Sequence, residues 1–352
     1  MTAPSAPGRA RTLRISRVID ETHDARSIVF DVPEADRERF AYRPGQFLTL
    51  RIPSDRTGFV ARCYSLASSP EHDEPLMVTV KRTTDGYGSN WLCTHAVPGM
   101  ELDVLPPGGV FTPKDLDADF LLFAGGSGIT PVMSILKSAL ARGTGRITLV
   151  YANRDESSVI FAGELTDLAA RYPHRLTVIH WLESVQGLPG RAHLQALATP
   201  FLSYDVFVCG PRPFMDAVSD ALTTAGVPRS RLHVEVFTSL TGDPFTEVVQ
   251  TPEDTTSAGE TVPVEVELDG QTHALDWPVT TTLVDLLLSK GIQAPYSCRD
   301  GECGSCQATL LKGRVTMAHN EVLSDDDVAE GYILGCQALP EPDGTEPIRI
   351  EF

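Results

Sequence analysis

The chain has 352 residues, of which 42 % are hydrophobic and 22 % charged, so it is long enough for two or three globular domains. Its formal net charge of −18 argues against nucleic acid and anionic membranes as partners. There is no apolar run of about 18 residues that could span a membrane, and the N-terminus has no apolar signal-peptide core. The seven cysteines are an odd number in a long chain, which argues against a disulfide framework and predicts a reduced, cytoplasmic protein.

Residues 10–115 contain a series of short predicted strands, preceded by a short tail that we expect to be flexible. Apolar or alternating segments such as "TLRISRVI", "QFLTLRI" and "LMVTVKR" are separated by turn residues. This spacing favours a small antiparallel β-barrel.

Arg62 to Ser65 spell "RCYS" within one of these predicted strands. The sequence matches the R-x-Y-S motif of ferredoxin–NADP reductase-like flavoproteins. The guanidinium of Arg62 suits a flavin phosphate, Tyr64 offers an aromatic face to the isoalloxazine, and Ser65 offers a hydroxyl to its polar edge. Alone, the motif also fits a strand with a surface arginine and a core tyrosine. The resemblance implies a flavin, with FAD favoured over FMN, although FMN-using relatives share the motif.

The segment "TVKRTTDGYGSNWL" is similar to the second phosphate-binding segment of the same family, at the start of a short helix. The resemblance implies flavin contacts from six residues of this segment: Val80, Lys81, Arg82, Gly86, Gly88 and Ser89.

Residues 116–237 alternate nearly all-apolar strands with amphipathic helices, which predicts a parallel sheet covered on both faces. "FAGGSGITP" follows the first of these strands and opens a helix. Its glycines would let the backbone approach dinucleotide phosphates, with Thr130 as the helix N-cap and Pro131 in the first turn. A lone glycine-rich turn is weak evidence, but this one resembles the nucleotide loop of the same reductase family. The contacts it predicts are Gly125, Gly126, Gly128, Thr130 and Pro131.

The turn after the second of these strands, "NRDESS", bears on the choice of nicotinamide nucleotide. We expect Asn153, Arg154 and Asp155 to contact it. Arg154 would favour a 2′-phosphate, whereas Asp155 and Glu156 would repel one and suit a free 2′-hydroxyl. An exposed charged turn explains each side chain equally well. The turn favours NADH, with NADPH as the alternative.

"CGP", Cys209 to Pro211, ends a later apolar strand, and "EVF" ends this region. A buried cysteine alone is common. Together with the glycine-rich loop, the triplet resembles its counterpart in the reductase family. The resemblance implies that Cys209 lies beside the nicotinamide, that Gly210 and Pro211 shape the turn, and that Phe237 packs on the flavin. The catalytic residues implied are Cys209, Tyr64, Ser65 and Glu235.

Residues 238–261 are rich in Thr, Pro, Gly, Ser and acids, and they predict a linker. The segment that follows is unusually acidic, because residues 261–352 contain 16 acidic and 5 basic side chains.

The loop "PYSCRDGECGSCQATL" holds Cys298, Cys303 and Cys306 in a C-x4-C-x2-C arrangement, and Cys336 follows thirty residues later. This is the spacing of plant-type [2Fe–2S] ligation, and the glycines between the cysteines would let backbone N–H groups point at the sulfurs. A zinc site or buried structural cysteines are the alternatives, although zinc ribbons pair two C-x2-C knuckles. A Rieske centre would need histidine ligands in a second motif, which is not present.

Residues 262–352 resemble a plant-type ferredoxin domain, which implies a β-grasp fold. The order of flavin, nicotinamide and ferredoxin segments resembles the reductase components of multicomponent oxygenases. The segments "HVEVF", "DGQTH" and "YANRDE" are similar to segments of the reductases of 3-ketosteroid 9α-hydroxylases. The resemblance implies that the chain passes electrons from NADH through the flavin and cluster to a terminal oxygenase, of Rieske type and acting on a steroid or aromatic substrate. We expect the chain to be monomeric.

Three alternatives stay open at this point. One is a reductase for another acceptor, such as a phenylacetyl-CoA epoxidase or a hybrid-cluster protein. Another is an iron–sulfur electron carrier or redox sensor whose flavin half is vestigial. The third is an enzyme that reduces a small molecule directly.

Overall fold

Residues 9–72, 75–245, 260–342 and 347–352 are described by the computed structural model of the chain. They form two units, of which the larger comprises residues 11–107 and 111–237, and the smaller comprises the described parts of 1–10, 108–110 and 238–352. Most of the predicted tail and residues 246–259 of the predicted linker lie outside the described residues. No helix in the described ranges has the length and apolarity needed to cross a bilayer.

The first half of the larger unit is a six-stranded sheet with the order β4-β3-β6-β1-β2-β5. Its strands are β1 (Arg11–Thr22), β2 (Ala25–Asp31), β3 (Phe47–Ser54), β4 (Gly58–Ser65), β5 (Leu76–Lys81) and β6 (Glu101–Gly108). The pairs β1–β2, β1–β6, β2–β5 and β3–β4 run antiparallel. The two edge strands meet where Leu66, directly after β4, bridges to Val78 on β5, so the sheet curves into a barrel. Helix α1 (Tyr87–His95) follows β5.

The second half of the larger unit is a five-stranded sheet with the order β11-β10-β7-β8-β9 in which every pair is parallel. Its strands are β7 (Phe120–Gly125), β8 (Ile147–Asn153), β9 (Leu176–Leu182), β10 (Asp205–Cys209) and β11 (Leu232–Glu235). Its helices are α2 (Ile129–Arg142), α3 (Ala162–Arg171), α4 (Glu183–Gln186), α5 (Arg191–Ala198) and α6 (Arg212–Thr224). All six residues of β7 are buried, as expected for a central strand covered on both faces. The strand order reverses between β7 and β10, and ligands of such sheets bind in the crevice outside this switch point.

The smaller unit contains a mixed sheet with the order β13-β12-β18-β14-β16 and a separate pair, β15–β17. Its elements are β12 (Thr261–Leu268), β13 (Gln271–Pro278), α7 (Leu283–Ser289), β14 (Gln307–Lys312), β15 (Val315–Met317), α8 (Asp325–Ala329), β16 (Tyr332–Leu334), β17 (Ala338–Pro340) and β18 (Ile348–Glu351). Strands β12 and β18 are parallel, and α7 packs Leu283, Leu286 and Leu287 into the core beneath the sheet. A hairpin, a helix across the sheet and a parallel central pair are the arrangement that the predicted β-grasp domain requires. The predicted three-part fold class is confirmed.

Two local predictions need revision. Helix α2 begins at Ile129 with Gly128 as its N-cap, so the prediction that Thr130 caps this helix is wrong. The Thr130 hydroxyl donates to the Ser127 carbonyl at 3.1 Å instead of accepting a backbone N–H. The start of the predicted linker is also bonded to the cysteine loop. The backbone N–H and hydroxyl of Thr241 donate to the buried carboxylate of Glu302 in that loop, at 2.8 and 2.7 Å.

The predicted tail likewise contributes a contact to the smaller unit. The guanidinium of Arg9 lies 3.7 Å above the ring of Tyr296 and donates to its carbonyl oxygen at 2.6 Å. The described end of the tail is therefore held by a cation–π contact and a hydrogen bond.

Candidate cofactor sites

The glycine-rich turn after β7 and the turn after β10 are in direct backbone contact at the switch point. A Cβ atom on Gly128 would lie 2.1 Å from the carbonyl oxygen of Cys209 and 2.6 Å from the nitrogen of Gly210. Gly128 has an ordinary φ of −61°, so this position requires glycine because of space and not because of backbone conformation. Gly126, in contrast, has a φ of +51°, in the left-handed region that glycine occupies at little cost.

The remaining residues of the two turns also pack closely. A Cβ on Gly210 would lie 3.0 Å from Gly125 Cα, and one on Gly125 would lie 2.9 Å from Pro211 Cδ. The structure therefore brings together the two motifs that the sequence separates by some eighty residues. Pro131 is buried within the first turn of α2.

A cavity of about 550 Å³ opens beside these turns. Its lining includes Gly125, Gly126, Asn153, Arg154, Trp181 and Pro211. Asn153 is buried, and neither its Oδ1 nor its Nδ2 has a hydrogen-bond partner. Burial raises the pKa of Tyr151, and the nearby Asn153 amide opposes this rise. The two side chains are nevertheless not in hydrogen-bonding geometry. An unsatisfied buried amide is costly, so a ligand that bonds Asn153 would be stabilised in this cavity.

The charged residues of the "NRDESS" turn behave differently from one another. Arg154 lines the cavity and its Nη2 lies 3.0 Å from the carboxylate of Asp24. The carboxylate of Asp155 accepts hydrogen bonds from the hydroxyls of Ser157 and Ser158 at 2.7 and 2.9 Å, which lower the pKa of Asp155. Asp155 therefore stabilises its own turn. The acid that lines the cavity is Glu183, directly after β9, which the sequence analysis missed although an acid at the carboxyl end of a parallel strand is a usable signal.

Cys209 is fully buried at the end of β10, and burial raises the pKa of its thiol. Glu235 lies opposite it in the parallel register of β10 and β11, and its negative charge raises that pKa further. Two of the four predicted catalytic residues are thus neighbours at the carboxyl ends of β10 and β11. Phe237, two residues later, is 48 % exposed, which leaves its ring available for contact with a ligand.

The predicted flavin residues Arg62 and Tyr64 lie on β4 beside the start of α1. A Cβ on Gly88 would lie 2.9 Å from Arg62 Cγ and 3.3 Å from the Tyr64 hydroxyl, so these three residues form one surface. Burial raises the pKa of Tyr64, which keeps its hydroxyl neutral. Ser65 and Val80 are buried, on β4 and β5. The helix start provides backbone N–H groups of the kind that bind phosphate.

Three other residues of the predicted flavin set, Ser89, Arg82 and Lys81, each have a different environment. Ser89 stabilises the turn before α1, because its hydroxyl accepts from the Thr83 N–H at 3.1 Å and donates to the Gly86 carbonyl at 3.4 Å. The guanidinium of Arg82 donates along α1, to Asn90, Cys93 and Thr94.

Lys81 differs from both, because it faces the cavity beside the glycine-rich turn. It lines that cavity, and its Nζ lies 3.8 Å from the carboxylate of Asp24. The structure therefore places Lys81 with the predicted nucleotide residues and Arg82 with the body of α1.

The four cysteines of the smaller unit form two hydrogen-bonded pairs, Cys298 with Cys303 and Cys306 with Cys336. The bond from Cys298 lowers the pKa of Cys303 to about 6, and the bond from Cys306 lowers the pKa of Cys336. The same bonds, together with burial, raise the pKa values of Cys298 and Cys306. Across the described ranges no three His, Cys, Asp or Glu side chains converge on one ion position.

Backbone N–H groups point at these sulfurs. The N–H of Cys298 lies 3.4 Å from Cys303 Sγ, that of Asp300 3.4 Å from Cys298 Sγ, and that of Cys336 3.4 Å from Cys306 Sγ. Gly301 has a φ of +75°, and a Cβ there would lie 2.6 Å from the His319 carbonyl oxygen. The loop thus depends on glycine at this position in order to fold around the sulfurs.

These observations fit the groups that the sequence predicts. Two pairs of thiols with N–H donors suit the two irons of a [2Fe–2S] cluster, since each iron takes two thiolates. The surface of Arg62, Tyr64 and Gly88 suits a phosphate and an aromatic ring. The cavity with the unsatisfied Asn153 suits a dinucleotide at the switch point.

Comparison with known proteins gives matches over all three parts of the chain. Residues 12–112 match the oxidoreductase FAD-binding domain, residues 122–220 the oxidoreductase NAD-binding domain, and residues 266–341 the 2Fe-2S iron-sulfur cluster binding domain. The chain is 61 % identical over the full length of both proteins to the ferredoxin reductase component of 3-ketosteroid-9-alpha-monooxygenase from Rhodococcus rhodochrous.

Two further relatives share the whole layout. A component of the 1,2-phenylacetyl-CoA epoxidase from Escherichia coli is 33 % identical over 97 % of each chain. The solved structure of phthalate dioxygenase reductase superposes with a TM-score of 0.55 at 25 % identity, over 97 % of this chain and 98 % of that one. The lower identity to the epoxidase component means that this alternative is not favoured, and the matched FAD-binding domain disfavours a vestigial flavin half.

A flavin domain, a nicotinamide domain and an iron–sulfur domain in one chain define an oxidoreductase that transfers electrons between these groups. Its cofactors are FAD and one [2Fe–2S] cluster, and its electron donor is NADH. The chain belongs to the family of ferredoxin reductase components of oxygenases, and its acceptor is accordingly an oxygenase.

Proposed function

We propose that this chain supplies electrons to the oxygenase component of a 3-ketosteroid 9α-monooxygenase. The observation that supports the proposal is the 61 % identity to such a reductase component along the whole of both chains. When bound, FAD accepts a hydride from NADH and releases electrons singly, and the cluster carries one electron at a time. The chain's own task is to hold these groups, orient them and exclude water.

The cavity at the switch point is the proposed NADH site. Gly125, Gly126, Gly128 and the turn at Gly210 let the backbone approach the pyrophosphate, and Asn153 gains the hydrogen bonds that it lacks. Cys209 and Glu235 are neighbours at the carboxyl ends of β10 and β11, and the nicotinamide ring would lie beside them. Burial keeps the Cys209 thiol protonated, so its role is packing and positioning and not nucleophilic attack.

The surface on β4 and α1 is the proposed flavin site. Arg62 pairs with a flavin phosphate, the ring of Tyr64 packs on the isoalloxazine, and Ser65 bonds its polar edge. Gly86, Gly88 and Ser89 present the start of α1 to the second phosphate, and Phe237 covers the ring from the end of the nicotinamide domain. Lys81 is assigned to the nucleotide and Arg82 to α1, on the contacts described above.

In the smaller unit, Cys298 and Cys303 would hold one iron of the cluster, and Cys306 and Cys336 would hold the other. The pairing of the thiols and the N–H donors around them support this assignment. We also propose domain limits of 10–115, 116–237 and 262–352, a monomeric protein and a cytoplasmic location. The seven cysteines all lie among the described residues and none of them is in a disulfide, which suits a reducing compartment.

Reconstitution tests the acceptor. The purified chain, NADH, O2, a 3-ketosteroid and the oxygenase component of a 3-ketosteroid 9α-monooxygenase should together give 9α-hydroxylated steroid. One O2 should be consumed and one NADH oxidised for each product formed, with the second oxygen atom released as water. Flavin reduction by NADH without any steroid product in this mixture, combined with turnover when a different oxygenase is supplied, would contradict the proposal.

Replacing Arg62 with alanine should weaken flavin retention by about one to two decades in Kd, because a hydrogen bond to a charged group contributes roughly 1.5–3 kcal/mol. The dissociation constant is measured by fluorescence titration of the flavin-depleted protein with FAD. Arg51→Ala on neighbouring β3 is the matched control, since Arg51 is 40 % exposed and pairs with Asp103 on the barrel surface. Equal FAD affinity in wild type and Arg62→Ala would place the phosphate elsewhere.

The acidic face of the smaller unit should accelerate docking of the oxygenase. Asp325, Asp326 and Glu330 are exposed, whereas Asp327 is buried and caps α8 in a reciprocal pair with Ser324. Exposed charge of one sign steers a partner of opposite sign, and salt screens it, with a Debye length of about 10 Å at 0.1 M and about 3 Å at 1 M. The second-order rate of electron transfer to the oxygenase should therefore fall as salt increases in this range.

Asp325→Asn/Asp326→Asn should lower that rate at low salt and flatten its salt dependence, with Asp327 retained to preserve the cap. The control is Glu267→Gln/Glu351→Gln, which removes the same charge from exposed positions on β12 and β18. A rate that is independent of salt and equal in all three proteins would leave solubility as the only role of this face.

A further inference from the structure

Asp24 lies in the turn between β1 and β2, at one end of the barrel, yet its carboxylate reaches two cations of the nucleotide cavity. It lies 3.0 Å from Nη2 of Arg154 and 3.8 Å from Nζ of Lys81. The Asp24 side chain is only 14 % exposed. The hydroxyl of Thr22 donates to Asp24 Oδ1 at 2.8 Å, and the N–H of Arg82 donates to its carbonyl oxygen at 2.7 Å. The carboxylate is therefore fixed in place by its own turn.

The two cations come from distant parts of the chain. Lys81 ends β5 of the barrel, and Arg154 follows β8 of the parallel sheet, and both line the cavity. Burial lowers the pKa of Lys81, and the Asp24 carboxylate acts in the opposite direction. Asp24 thus stabilises both positive charges and at the same time neutralises much of their attraction for an incoming anion.

We propose that Asp24 is a selectivity-determining residue for the nicotinamide nucleotide, acting through Arg154 and Lys81. NADH and NADPH differ only in the 2′-phosphate, which adds about −1.5 to −2 charges near neutral pH. A cavity whose cations are already paired with a poorly solvated carboxylate can accommodate the pyrophosphate common to both nucleotides. Among the described residues that line it, no cation besides Lys81 and Arg154 is available for the additional phosphate, and the field of Asp24 repels that phosphate. The inference rests on the proposed assignment of this cavity to NADH.

The other acids near the cavity do not share this position. The carboxylate of Asp155 is bonded to two serine hydroxyls of its own turn. Glu183 lines the cavity from the end of β9 and suits a ribose hydroxyl, but no ion pair joins it to Arg154 or Lys81 among the described contacts. Asp24 is the acid for which the structure shows contact with both cavity cations.

Asp24→Asn tests the inference with little disturbance of the turn, because an asparagine Oδ1 can still accept from Thr22. We expect kcat/KM for NADPH, relative to that for NADH, to rise about tenfold with ferricyanide as acceptor. Adenosine 2′,5′-bisphosphate should bind the variant about tenfold more tightly, whereas 5′-AMP, which lacks the 2′-phosphate, should change less. This equilibrium measurement does not depend on the flavin or the cluster.

The control is Asp20→Asn, on the same hairpin, whose carboxylate is 73 % exposed and pairs with Arg26. It should leave the ratio of kcat/KM values unchanged. Arg154→Ala/Lys81→Ala should abolish the effect of Asp24→Asn if that effect acts through the cations. An unchanged ratio in Asp24→Asn, with normal flavin content and melting temperature, would overturn the inference. So would an equal effect of Asp24→Asn in the background without the two cations. If wild-type protein failed to oxidise NADH at all, the proposed function would fail instead.

Discussion

Replacement of Cys303 by serine is expected to remove the cluster and to reduce electron transfer to a one-electron protein acceptor to background. Serine at neutral pH offers a protonated hydroxyl, whereas the Cys303 thiol, with its pKa lowered to about 6, is readily available as thiolate. Reduction of the flavin by NADH should continue, because the nucleotide cavity and the flavin surface belong to the larger unit. Iron content and electron paramagnetic resonance report the cluster, and stopped-flow absorbance reports the flavin.

Cys93→Ser is the matched control for this variant. Cys93 is buried beside the Val80 carbonyl, to which its thiol donates at 3.4 Å, and serine can make the same bond. It should retain iron and transfer electrons at the wild-type rate. Ferricyanide reduction, which can draw on the flavin directly, should survive in both variants. Loss of flavin reduction in Cys303→Ser would contradict the independence of the two units.

Replacement of Gly128 by alanine is expected to disrupt the nucleotide site. The added methyl group would lie 2.1 Å from the Cys209 carbonyl oxygen, and both contacting segments are backbone that cannot rotate away. Overpacking of this kind typically costs about 1–3 kcal/mol in unfolding free energy and occasionally more, and its relief would separate the two turns that shape the crevice. The rate of flavin reduction by NADH should fall at least a hundredfold, and thermal unfolding of the larger unit should shift to lower temperature.

Gly163→Ala provides the comparison for a glycine without neighbours. It lies in α3, and a Cβ there meets no atom within 4 Å. Because alanine favours the helix by roughly 0.5–1 kcal/mol over glycine, this variant should be as stable as wild type or slightly more so. Wild-type NADH kinetics in Gly128→Ala would show that the contact between the two turns is not needed for binding.

The fold class followed from the sequence because each part has a strong local pattern. The short alternating segments of residues 10–115 can bury only one face, and the apolar strands of residues 116–237 need cover on both, so barrel and parallel sheet are distinguishable by pattern alone. The cysteine loop was equally specific, since four thiols at that spacing suit few other structures. Short elements such as α5, α8 and the strands after the cysteine loop were not predicted, because three to eight residues carry too little periodicity.

Only the tertiary structure shows which charged and polar side chains share a site. The sequence placed Lys81 with the flavin phosphates, yet its long side chain extends to the nucleotide cavity, and no sequence pattern indicated that Asp24 would reach the same place from a barrel turn. Asp155 and Glu156 were predicted to repel a 2′-phosphate and suit a free 2′-hydroxyl. In the structure two adjacent serine hydroxyls donate to the Asp155 carboxylate, and Glu183 is an acid that lines the cavity. Hydrophobic periodicity specifies which face of an element is buried. Charged side chains are long and solvated, and their partners depend on where separate elements end in space, which no local pattern encodes.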